Sequence, residues 1–168
     1  MNDFLIQHSA SLVDSNDSAW RAVYKKVFPT LIAVHNHSEF GDHQMAGIDK
    51  TVVLKGGIIR YVDEKVRYQD YGDILLEESS SIEKHIPGWI EKPLLAHYVF
   101  YKTPSRLYVL PNDPLHSAWY RNKDAWQGLY GPPKRAKNAT LGGYTSLNWA
   151  IPIDELYAAM FSPYILNI

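Results

Sequence analysis

Two runs of β-branched residues flank Lys55-Gly56-Gly57, and this arrangement constrains the chain more than any other stretch. Residues 48–54 and 58–66 are rich in Val, Ile and Thr, and a short glycine-bearing link between two such runs closes a β-hairpin. Side chains alternate faces along a strand, so Tyr61, Asp63, Lys65 and Arg67 share one face while Val62, Glu64 and Val66 share the other. Folding back about residues 55–57 carries Asp49 to the end of the second strand, next to Asp63 and Lys65. Two acids and a lysine are thus expected to converge.

At 168 residues the chain has the length of one domain, and 46% hydrophobic residues with 13% aromatics supply a substantial core. A single α/β domain over residues 1–168 is expected. A formal charge of −1 gives no global attraction to nucleic acid or to an anionic membrane, so such a partner must be met by a local patch. The chain has no cysteine, which removes disulfides, thiolate zinc sites and cysteine nucleophiles together. No basic, apolar leader follows Met1, and no apolar run approaches the roughly 20 residues of a membrane helix. A soluble, cytoplasmic protein without a membrane partner follows as the expectation.

Asp14 to Asp17 offers N-caps for a helix in which Trp20, Val23, Tyr24, Val27 and Phe28 recur at helical spacing before Pro29. Asp73-Ile-Leu-Leu-Glu-Glu reads as a buried strand broken by Ser79–Ser81. Leu94–Tyr101 and Arg106–Leu110 read as two more strands extending the same sheet, joined by a turn through Thr103-Pro104-Ser105. Asn112-Asp113-Pro114 starts a helix with Leu115, Ala118, Trp119 and Trp126 on its apolar face. Tyr144–Ile151 reads as the final strand, and Asp154 as the cap of a short helix.

Two other stretches carry chemistry. Residues 35–43 contain His35, His37 and His43 with Glu39 and Asp42; this is either a transition-metal site, since a His-x-His pair on a strand projects both rings to one side, or a solvated loop leading to Asp49. Between Arg121 and Lys137 the cations Arg121, Lys123, Lys134, Arg135 and Lys137 face Asp124 alone, and nearby Gly131-Pro132-Pro133 and Gly142-Gly143 argue for loops. The segment is either a phosphate-backbone contact or an ordinary solvated loop.

Carboxylates held close together repel, whereas a divalent cation makes the arrangement favourable. Magnesium is satisfied by one or two carboxylates with water and phosphate oxygens, and a lysine alongside stabilises charge developing on the phosphate. Asp49 with Asp63-x-Lys65 is chemically sufficient for phosphodiester hydrolysis, and an exposed strand face with an Asp63–Lys65 salt bridge accounts for the same residues.

Gly47-Ile48-Asp49, followed by Asp63-Glu64-Lys65 and the apolar strand Asp73–Glu77, resembles the PD-(D/E)XK nuclease superfamily over roughly residues 14–110. The resemblance implies a restriction-endonuclease-like fold, with a mixed central β-sheet flanked by helices. It implies an endonuclease acting on DNA, with Asp49 and Asp63 as ligands of Mg2+ or Mn2+, the Glu64 carbonyl completing the metal shell, and Lys65 positioning the water. Lys50 and Arg67 become phosphate contacts, and a homodimer is compatible. One departure stands out. Many members carry a glutamate in the first helix, and residues 14–28 contain Asp14 and Asp17 but no Glu. Glu39 or Asp42 is the stand-in if there is one, and a catalytically inactive nucleic-acid-binding or assembly protein on the same fold is the alternative.

Overall fold

A computed structural model describes residues 18–37, 46–138, 143–160 and 164–167. Helix α1 (Ser18–Val27) leads into β1 (Leu31–Asn36), β2 (Lys50–Leu54) and β3 (Ile58–Val66). Then come β4 (Asp73–Ser81), β5 (Ile86–Pro87), β6 (Tyr98–Lys102) and β7 (Arg106–Pro111). Helix α2 (Asn112–Tyr130), β8 (Lys134–Asn138), β9 (Tyr144–Pro152), α3 (Ile153–Ala159) and β10 (Tyr164–Asn167) complete the described elements. The fold is mixed α/β with two sheets, a six-stranded one in the order β1-β2-β3-β6-β7-β10 and a four-stranded one in the order β5-β4-β9-β8.

The hairpin folds as its sequence predicts. Leu54 pairs with Ile58 across a three-residue link, and Gly56 and Gly57 take φ of 83° and 77°, a region that favours glycine. β3 then pairs in parallel with β6, which makes the large sheet mixed. The chain travels between those two strands through β4 and β5 rather than through a helix, and the second sheet shares that face of the large sheet with α2 and α3.

Alternation along the central strands divides the interior into two cores. On one face of the large sheet, Val62, Phe100, Leu107 and Val109 pack under the aromatic stripe Trp20, Tyr24 and Phe28 of α1. Tyr24 and Phe28 stack on Phe100 with ring centroids 5.1 and 6.1 Å away. On the other face, Val99, Tyr101, Tyr108 and Leu110 meet the inner side of the small sheet (Ile74, Leu76, Trp149, Ile151) together with α2 and α3. Trp119, fully buried, stacks edge-on against Trp149 at 5.7 Å and locks α2 to β9.

Several expectations are corrected. β4 continues through Ser79–Ser81, because Ser79 still pairs with Leu147 of β9 beyond a bulge, and β4 belongs to the small sheet. Leu94–His97 is not strand; the strand begins at Tyr98. Residues 121–130 continue α2 and 134–138 form an edge strand, so the basic stretch is mostly regular structure rather than loop. Pro152, not Asp154, occupies the cap of α3, and β10 follows the strand expected to be last. The Asp14–Asp17 cap, Glu39, Asp42 and His43 lie outside the described residues. Among the described residues no helix is long and apolar enough to cross a membrane.

Because Phe100 is fully buried and carries two aromatic rings of α1, Phe100→Ala is expected to cost about 3–5 kcal/mol of stability, read from urea unfolding. A cost below about 1 kcal/mol would contradict the role given to this ring.

Candidate active site

Asp49 lies one residue before β2, where the ladder to β3 begins: its N–H donates to the Val62 carbonyl at 2.9 Å, and its own carbonyl accepts from His37 N–H at 2.8 Å. The Asp49 side chain turns toward β3, and Oδ2 accepts the Glu64 N–H at 2.7 Å. That bond holds the carboxylate between two strand faces. Asp63 points to one side of the sheet and Glu64 to the other, and both side chains are buried.

On the Asp63 side, Lys65 Nζ donates to Asp63 Oδ1 at 2.7 Å. Asp63 Oδ2 is buried without a donor, while the Asp49 carboxyl lies within hydrogen-bond reach of the Asp63 carboxyl. Two acceptors face one another, and only a shared proton or a cation reconciles them. Burial is the largest influence on Asp63; with the Asp49 carboxylate it overcomes Lys65 and pushes the Asp63 pKa up to about 7. Burial works against the Lys65 ammonium too, but Asp63 and Asp49, with Glu77 of β4 farther off, raise its pKa above that of an ordinary lysine. Lys65 is therefore a cation at neutral pH, and its side chain keeps 28% exposure, so solvent reaches it.

On the Glu64 side the chemistry is structural. Tyr24 Oη donates to Glu64 Oε1 at 2.6 Å, and Lys50 Nζ sits 3.6 Å from Oε2. Burial first, then the Glu64 carboxylate, raises the Tyr24 pKa well above its ordinary value, so the phenol stays a donor. Glu64 itself is pushed up to about 7 by burial against the opposing pull of Lys50. As alternation requires, the Glu64 side chain faces α1 and away from Asp63 and Lys65, which leaves only its backbone carbonyl for the role the resemblance gives it.

The geometry brings together Asp49, Asp63 and Lys65 and disperses most of the expected phosphate contacts. Lys50 is 2% exposed and paired with Glu64, so it cannot reach a phosphate backbone. Arg67 is bound to the Asp73 carboxylate and approaches Tyr101 Oη at 3.5 Å. Lys123 bridges Glu78 Oε1 at 2.6 Å and Glu91 Oε1 at 2.8 Å, while the Trp149 and Trp119 indoles donate to the same two carboxylates; this network clamps α2 to β4 beside a shallow cleft. Arg121, though exposed, donates to the Ala159 carbonyl at 3.0 Å. Lys134, Arg135 and Lys137 are exposed along the edge strand β8, where alternation sends Arg135 to the side opposite Lys134.

Of the histidine stretch, only His35 and His37 are among the described residues. His37 Nε2 is engaged with Thr51 Oγ1 at 2.7 Å, and His35 is exposed opposite Thr51 on β1. Among the described residues no group of three or more His, Asp or Glu side chains is arranged to hold a metal ion. A two-carboxylate site suits a hydrated hard cation such as Mg2+ and falls short of a zinc cage. Glu77 of β4, named in the sequence only as the end of an apolar strand, lies within electrostatic reach of Lys65. Only the pairing of β4 with β9 reveals its place. No family model, curated protein or solved structure matches the chain.

Two outcomes follow from the buried acids. Asp63 and Glu64, ordinarily at 3.8 and 4.5, are both raised to about 7, so the folded chain holds protons that the unfolded chain releases. Without metal, stability falls as pH rises from about 4 through 7. Melting temperature in EDTA is expected to be lower at pH 8 than at pH 6, magnesium to raise it at pH 8, and Asp63→Asn to weaken both responses; a wild-type midpoint indifferent to pH and to magnesium contradicts the site. Separately, Lys50→Ala strands the Glu64 carboxylate and is expected to cost about 3–5 kcal/mol in urea unfolding, whereas Lys50→Met with Glu64→Leu recovers most of it. A negligible cost for Lys50→Ala would show that the pair does not hold α1 to the sheet.

Proposed function

We propose that the chain is a magnesium- or manganese-dependent nuclease that hydrolyses DNA phosphodiester bonds, acting as an endonuclease on a restriction-endonuclease-like fold. The observation that carries this is the contact between the Asp49 and Asp63 carboxyls beside the Lys65 ammonium, with one buried Asp63 oxygen lacking a donor. Asp49 and Asp63 would hold the metal, and the Glu64 carbonyl is the third oxygen suggested by the resemblance. The donor set fits a hard cation, because both acids offer oxygen and Lys65 occupies only Asp63 Oδ1, leaving Oδ2 without a donor. When bound, such a cation polarises a phosphoryl oxygen and lowers the pKa of water.

The protein's own groups do the rest. Asp49 is fixed by the Glu64 amide, so its carboxylate does not need to be ordered when a substrate arrives. Lys65, protonated and partly exposed, orients the attacking water and stabilises negative charge on the phosphate; its raised pKa makes it a poor base. Asp63 fixes the lysine through the 2.7 Å bond and would hold the cation together with Asp49.

A second reading is favoured by one observation: the described part of α1 carries no acid at all, and its Tyr24 meets Glu64 instead. On that reading the protein binds nucleic acid or assembles with it and does not cleave, using Lys134, Arg135 and Lys137. The two are separated by incubating purified protein with plasmid and oligonucleotide DNA in magnesium or manganese. The nuclease reading predicts cleavage that falls by roughly a hundredfold or more in Asp49→Ala, Asp63→Ala and Lys65→Ala proteins of unchanged circular dichroism. Undiminished cleavage in these variants overturns it. Absence of cleavage, with salt-dependent binding that requires the β8 cations and no metal, establishes the second reading.

A further inference from the structure

The face that carries Asp63 and Lys65 continues beyond the end of β3. Arg67 N–H bonds the Lys102 carbonyl at 2.8 Å, which extends the parallel register by one residue and keeps Arg67 on the same side as Asp63 and Lys65. Two residues of strand span about 7 Å, so Arg67 follows Lys65 directly. Its guanidinium is not available to a phosphate, because the Asp73 carboxylate neutralises it. Instead, its Cζ lies 4.5 Å from the centroid of the Tyr71 ring.

Tyr71 is 62% exposed and Tyr68, three residues earlier in the same loop, is 45% exposed. Both rings stand outside the two cores, and the loop is anchored on several sides. Asp70 lies beside Thr103 and Ser105, the Gly72 carbonyl accepts from Ile153 N–H at 3.1 Å, and Gly72 takes φ of 73° where the chain turns into β4. The Tyr71 ring thus rests on an arginine that is itself braced by Asp73 and Tyr101. A braced, exposed ring with a cation beneath it is suited to stacking on another flat π-system.

We propose that Tyr71, backed by Arg67, is a nucleobase-stacking platform, and that the substrate strand is unpaired where it crosses this loop. The substrate class is then single-stranded DNA or the frayed or flapped end of a duplex, since bases within an intact helix offer no face to a protein ring. The proposal rests on the nuclease reading above and specifies its substrate. Tyr71 touches the substrate without taking part in bond cleavage, and Arg67 is a positioning residue that acts through Tyr71.

The test compares kcat/KM for a labelled single-stranded oligonucleotide and for the blunt duplex of the same sequence, in manganese, for the wild type, Tyr71→Ala, Tyr71→Trp and Arg67→Gln. Wild type is expected to prefer the single strand. Tyr71→Ala is expected to lower kcat/KM on the single strand by about tenfold, mainly through KM, and to leave duplex cleavage and the melting temperature unchanged. Tyr71→Trp should restore the preference, and Arg67→Gln should reduce it by less than Tyr71→Ala does. If wild type and Tyr71→Ala cleave both substrates with the same ratio, the platform is overturned while the nuclease reading stands. If the wild type cleaves neither substrate, the nuclease reading fails and the platform with it.

Discussion

The 2.7 Å hydrogen bond from the Glu64 amide to the Asp49 carboxylate is the contact on which the site depends. It occupies the point where β2 begins, and it places a third acid beside two that alternation has sent to opposite faces of β3. Each buried acid then needs its own compensation. Asp63 receives Lys65, while Glu64 receives Tyr24 and Lys50. On each side one buried carboxylate oxygen, Asp63 Oδ2 or Glu64 Oε2, has no hydrogen-bond donor, and Lys50 stands 3.6 Å from the second.

Holding three carboxylates so close is unfavourable, and the surrounding packing offsets it. β2 and β3 are tied by a regular five-residue register, β3 by a parallel one to β6. Phe100 and Val99, neighbours on β6, point into the two different cores, so the strand beside Asp63 and Glu64 is fixed from both sides. A site that must hold a fixed geometry against repulsion gains from being built on the centre of a sheet rather than on a loop.

The hairpin was legible because its signals are local: β-branched runs, a glycine link, and an alternation that assigns each side chain to a face. The long helix α2 was legible for the same reason, and all four apolar residues assigned to its inner face, Leu115, Ala118, Trp119 and Trp126, are buried. β1 was not, because it ends in His35 and Asn36 at the edge of a sheet and lacks the alternation of a half-buried strand. Nor was the second sheet, whose main pairing joins β4 to β9 across some seventy residues, a distance over which no local pattern reaches. The cations misled for a different reason. Lys50, Arg67 and Lys123 counted as positive charge in the sequence, yet each is spent on an acid contributed by another part of the chain: Glu64, Asp73, and the Glu78 and Glu91 pair. Glu77 shows the converse, a residue whose position near Lys65 depends wholly on where β4 lies.

Two carboxylates in contact beside a lysine lead to one direct observation. Anomalous diffraction from a crystal soaked in manganese is expected to show a single strong peak between the Asp49 and Asp63 carboxylates, within coordinating distance of both, and to lose it in Asp63→Asn crystals. A peak at His35 and His37 instead, or none while Asp49 and Asp63 keep their contact, would contradict the metal-dependent chemistry assigned to this site.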